Sequence, residues 1–215
     1  MLTASFPNLR SVLCLGAHAD DIEIGCGGAL LRLLAEVPNL QVHWIVFSAS
    51  GARREEALAS ADGFLARAQT KNVVIRDFRD SFFPHQGEQI KEYFCELARE
   101  ISPDLIFTHR RNDAHQDHRT LAELTWCAFR DHVILEYEIP KYEGDLGQPN
   151  VFFRLDKATC QNKIELILDT YLTQRDKNWF SEDTYWALLR LRGVECQSPT
   201  KYAEAFFARK LTVLD

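Results

Sequence analysis

The chain has 215 residues, 46% of them hydrophobic and 26% charged, with a net charge of −6. That length and content suit one domain, 1–215, able to bury a sizeable core without disulfide support. The acidic balance argues against a nucleic-acid face, and no apolar run approaches the roughly 20 residues of a membrane-spanning helix.

Ser11 to Ala17 is a short apolar run ending abruptly at polar residues, and it is predicted as a buried strand. After Gly25, Gly27 and Gly28 come leucines at 30, 31, 33 and 34, spaced for a helix packed on a sheet. The glycines match no nucleotide-binding loop and are assigned to close packing of that helix start. Leu40 to Phe47 predicts a second strand, 53–69 a second helix, and Val73 to Ile75 a third strand. A helix over 87–101 stops before Pro103, and Leu105 to Phe107 predicts a fourth strand. A His/Asp-rich loop follows, then a helix over 118–130, two short strands (133–139 and 151–155), a helix over 157–173 and a last helical stretch. Alternating strands and helices predict a Rossmann-like three-layer α/β/α sandwich with a mostly parallel sheet.

Six cysteines occur without a Cys-x-x-Cys pair, and they are expected to be reduced and buried, Cys14, Cys95 and Cys127 lying in apolar stretches. No charged-then-apolar leader opens the sequence, so a cytoplasmic location is expected.

In open α/β sheets ligands bind beyond the carboxyl ends of strands. Two polar clusters fall there: His18-Ala19-Asp20-Asp21-Ile22-Glu23 after the first strand, and His109 to His118 after the fourth. Imidazoles and carboxylates from both can surround one zinc ion, leaving a position open for water. Of adjacent Asp20 and Asp21, one can bind metal while the other takes a proton from that water. Of His115 and His118, one can bind metal while the other donates to a developing oxyanion, held in its tautomer by Asp117.

These residues resemble the LmbE-like (PIG-L) family of zinc-dependent N-deacetylases. The resemblance rests on His18 to Gly28 and on His115-Gln116-Asp117-His118, and it extends to Arg53–Ala57, Asp80 and Tyr202–Phe206. It implies a Rossmann-like fold, with His18, Asp21 and His118 as zinc ligands and Asp20 as general base. It also implies His115, oriented by Asp117, as oxyanion stabiliser, with Arg53 and Asp80 contacting a sugar. The implied substrate is a small acetylated amino sugar or glycoconjugate, of the N-acetylglucosamine type. Ala19 stands where the family usually has proline, and Ile22 where many members have glutamate; neither removes a ligand. Two histidines and a carboxylate also hold iron(II) in non-haem oxygenases, and an inactive metal- or sugar-binding module would keep the same donors. Zinc is the expected metal, with iron(II) as its alternative in the cell. A homo-oligomer is compatible with the sequence.

Overall fold

The computed structural model describes residue 3 and residues 5–212. Five strands pair in parallel: β1 (Ser11–His18), β2 (Gln41–Ser48), β3 (Thr70–Ile75), β4 (Leu105–His109) and β5 (Val133–Tyr137). Two more, β6 (Val151–Leu155) and β7 (Tyr202–Ala208), complete a seven-stranded sheet in the order β3-β2-β1-β4-β5-β7-β6. β7 runs antiparallel to both its neighbours. The mostly parallel sandwich expected from the alternation is present, with β7 as the strand that the alternation does not announce.

Residues alternate across β1 and so build two cores. Val12 and Cys14 join the layer of α1 (Asp21–Glu36), α2 (Gly51–Phe64), α5 (Lys157–Thr170) and α6 (Glu182–Glu195). Leu13 and Leu15 face α3 (Gly87–Glu100) and α4 (Gln116–Ala128) on the other side. Period-two alternation in a central strand therefore produces the three layers. Cys95 and Cys127, expected inside, lie exposed on α3 and α4; the other four cysteines are buried, and all six are free. Among the described residues, no helix is long and apolar enough to cross a membrane.

The chain winds outward from β1 through β2 to β3, then returns across β1 to place β4 on its other side. Such a reversal opens a crevice between the carboxyl ends of the two strands flanking it. His18 closes β1 and His109 closes β4, so both polar clusters meet there.

α1 starts earlier than its leucine spacing predicts, with Asp21 as its first residue and the three glycines inside it. Glycine is a poor helix former, but here closeness overrides propensity. A Cβ at Gly27 would lie 2.6 Å from the Phe64 ring, one at Gly28 2.5 Å from Leu155, and one at Gly25 would clash still harder with the Tyr137 ring. Tyr137 is fully buried and its hydroxyl donates to the Leu15 carbonyl (2.6 Å), so the ring has no direction of retreat. Gly25→Ala is expected to cost about 1–3 kcal/mol through overpacking. A urea-unfolding midpoint equal to that of the unmutated protein would contradict this packing.

Candidate metal centre

The site begins with strain. Asp20, directly before α1, has φ of 91° and ψ of −20°. Only glycine enters this left-handed region freely, and aspartate and asparagine tolerate it better than most. The twist turns the chain from β1 into α1 within two residues, so Asp20 and Asp21 present their carboxylates differently. Asp21 folds back and accepts the His18 backbone N–H (2.6 Å). Asp20 is buried, and its Oδ2 lies 3.0 Å from Arg53 Nη2 without hydrogen-bond alignment.

Three of the expected ligands converge. His18 Nδ1 lies 3.3 Å from His118 Nε2 and 3.5 Å from Asp21 Oδ2, while His118 Nε2 lies 3.6 Å from Asp21 Oδ1. Donors about 2.0–2.1 Å from a tetrahedral ion stand roughly 3.3–3.4 Å apart, so the two histidine nitrogens fit one small cation, with Asp21 facing His18 through Oδ2 and His118 through Oδ1. The donor chemistry fits as well. His18 Nε2 faces Asp117 Oδ2 (3.1 Å) and Asp80 Oδ1 (3.2 Å), and His118 Nδ1 faces Asp113 Oδ2 (3.1 Å). Each outer nitrogen thus donates its proton to a carboxylate, which leaves the two inner nitrogens with lone pairs aimed at each other and at Asp21. Three acceptors at this range repel unless a positive charge lies among them.

A proton on His18 is one such charge. Burial opposes a charged His18, but hydrogen bonds to Asp117, Asp21 and Asp80 outweigh it and raise its pKa well above the usual value. Burial, then the neighbouring His109, push His118 down to about 4. Burial would raise Asp21, yet His118 and His109 hold it well below the carboxylate range. Burial lifts Asp20 to about 6 despite Arg53, which suits a base that exchanges protons near neutrality.

The remaining expected residues are all near, in partly different roles. His115 precedes α4 and its Nδ1 accepts the backbone N–H of Asp117 (3.2 Å), so its proton sits on Nε2. Burial and His18 lower its pKa, which favours the neutral ring. Asp117 does not hold His115 with its carboxylate. That group is fully buried, pinned by the backbone N–H groups of Ser81 (2.6 Å) and Phe83 (3.0 Å), and turned onto His18. Among the described residues, the hydrogen-bond partners of the Asp117 carboxylate are His18 and the amides of the 81–83 loop. Asp80 is largely exposed but touches His18. Arg53 reaches the Ala19 carbonyl and Asp20, and stacks 5.1 Å above the Tyr171 ring.

Two residues without an assigned role in the sequence are central. Asp113 supports His118, as described, and its Oδ1 also accepts the His115 backbone N–H (2.7 Å). His109 is fully buried, stacks on His118 at 3.8 Å, and places Nε2 3.1 Å from Asp21. The signal for both was position: His109 is the last residue of a strand at the crevice, and Asp113 lies two residues before the first histidine of the pair.

A crevice at the reversal point of a parallel sheet, holding two histidines, one carboxylate and a free buried base, defines a candidate metal-dependent α/β enzyme. Residues 13–129, more than half of the chain, match the PIG-L family, GlcNAc-PI de-N-acetylase, and the chain belongs to that family. Among curated proteins, the uncharacterized deacetylase YaiS of Escherichia coli is 28% identical over 148 residues, covering 65% of this chain and 79% of that protein. Among solved structures, GalB, the 4-carboxy-2-hydroxymuconate hydratase of Pseudomonas putida, superposes with a TM-score of 0.77 at 19% identity, covering 96% of this chain and 99% of that one. The N,N'-diacetylchitobiose deacetylase of Pyrococcus horikoshii gives 0.67 at 16% identity, covering 94% and 84%. At these identities the structural likenesses establish the fold; membership of a deacetylase family rests on the sequence match.

Proposed function

We propose that the chain, read as one domain over 1–215, is a zinc-dependent N-deacetylase that hydrolyses the acetamide of an N-acetylated amino sugar or its conjugate. The observation carrying this reading is the convergence of His18, Asp21 and His118 at single-ion spacing beside Asp20, in a member of this family. Zinc held there supplies a Lewis acid and brings the pKa of a coordinated water to about 7.

The rest is done by the chain's own groups. Asp20, buried and without an aligned donor on Oδ2, takes the proton as water oxygen attacks the acetamide carbon. His115, with its proton on Nε2, donates a hydrogen bond to the oxyanion that forms, and Asp20 passes the proton it took to the nitrogen as the C–N bond breaks, giving acetate and a free amine. Asp117 and Asp113 keep the two ligand rings turned inward. Arg53, besides tethering Asp20, and the exposed Asp80 are placed to meet sugar hydroxyls at the rim.

A mass-spectrometric panel of acetylated amino sugars and glycosides tests the reading, with loss of one acetyl group and equimolar acetate expected. Chelation is expected to abolish turnover, and about one equivalent of zinc to restore it. Turnover that survives complete metal removal would refute the metal assignment, and dependence on oxygen would favour the iron(II) alternative. The likeness to GalB favours one second reading, water addition to an unsaturated carboxylate by the same base and metal. Loss of diene absorbance without acetate release would select it.

A further inference from the structure

The segment 138–150, between β5 and β6, has no regular structure, yet it is wired to the metal centre. Lys141 Nζ lies 3.0 Å from Asp113 Oδ2, the same oxygen that faces His118 Nδ1. It also lies 2.6 Å from Asp145 Oδ1, and Asp145 Oδ2 accepts the Ala114 backbone N–H (2.6 Å). The Lys141 side chain is 10% exposed and that of Asp113 only 2%. Resting on the metal reading above, we infer that Lys141 is a positioning residue that acts through Asp113 to hold His118 in its metal-binding orientation.

The physical argument is one of satisfied directions. Asp113 Oδ1 is engaged by the His115 N–H, so its Oδ2 alone carries His118. A carboxylate that serves one ring through one oxygen needs that oxygen held in place, and the Lys141 ammonium bonds the same Oδ2. The same ammonium bridges Asp113 and Asp145 and offsets the repulsion between two carboxylates on adjoining loops. Without it Asp113 is held through Oδ1 alone, the His118 ring loses part of its back support, and Nε2 drifts from the position it shares with His18 and Asp21. An uncharged side chain of equal length keeps the packing and removes only this restraint.

Zinc affinity, measured by competition with a chromophoric chelator, tests the inference in the unmutated protein, Lys141→Met, Lys141→Arg and, as a ligand control, His118→Ala. Supporting-carboxylate networks are worth about 10–100-fold in metal affinity. Lys141→Met is expected to weaken zinc binding about tenfold, and nitrogen-15 histidine spectra of the metal-free protein should show His118 leaving a single tautomer. Lys141→Arg should restore most of the affinity and the single tautomer. Metal-free melting curves check that each variant is folded, with Lys141→Gln replacing the methionine variant if that one is not. Unchanged or tighter zinc binding in a folded uncharged variant, with His118 still in one tautomer, overturns the inference and leaves the metal reading standing. Failure of the unmutated protein to bind zinc above the level of His118→Ala overturns both.

Discussion

Asp20→Asn is expected to keep its metal and lose turnover by about 10²–10⁴-fold, the usual worth of a positioned general base. Asparagine is the informative replacement because the backbone here has φ of 91°, which asparagine tolerates and alanine does not. The variant therefore removes a proton acceptor without releasing the turn that places Asp21. Metal content by atomic emission, measured beside kcat, separates the two aspartates. An asparagine variant that loses its zinc would mean that the roles of Asp20 and Asp21 are the reverse of those proposed. Full turnover would mean that another group takes the proton.

Lys163→Met is expected to be the most damaging change to stability outside the site, at about 3–5 kcal/mol. Lys163 and Glu204 form a buried pair at 2.5 Å, each about 4% exposed. Glu204 also accepts the backbone N–H groups of Gly28 (2.8 Å) and Ala29 (2.6 Å) in mid-helix, while Lys163 donates to the Ile24 carbonyl (2.7 Å). The pair thus joins α5 and β7 to the middle of α1. Removing the cation leaves a buried carboxylate held only by amides. Adding Glu204→Gln to Lys163→Met should recover part of the loss, and urea titration of the single and double variants measures both. A single variant within 1 kcal/mol of the unmutated protein would contradict a structural role for the pair.

The fold was legible where period and composition spoke together. β1, β2 and β4 are apolar runs that stop at polar residues, and each is a central, doubly covered strand. β7 was not legible, because Tyr202–Ala208 carries Glu204 in its middle and reads as neither alternation nor an apolar run. Its partner Lys163 lies 41 residues away, and a sequence displays no such pairing. α1 starts earlier than its leucine spacing predicted, at Asp21, whereas the close packing assigned to its glycines is met against Tyr137, Phe64 and Leu155.

At the site, the ligand types and the strand ends were legible, because both depend on local order. The direction in which each carboxylate faces depends on neighbours from other loops. Asp117 was therefore matched with His115, two residues before it, whereas its carboxylate faces His18, across the crevice. Asp113 was overlooked because its value comes from His118 and Lys141 together. Arg53 was read as a substrate contact; its hold on the Ala19 carbonyl and on Asp20 needed the tertiary fold to become visible.

The placement of β7 bears on how the molecule is made. It is the last strand among the described residues, yet it lies between two strands completed long before it. Until the ribosome has released residues 202–208, β5 and β6 have no common neighbour and each exposes an unsatisfied edge. Assembly of that half of the sheet therefore waits until residues 202–208 have emerged, and the nascent polypeptide carries unpaired strand borders until then.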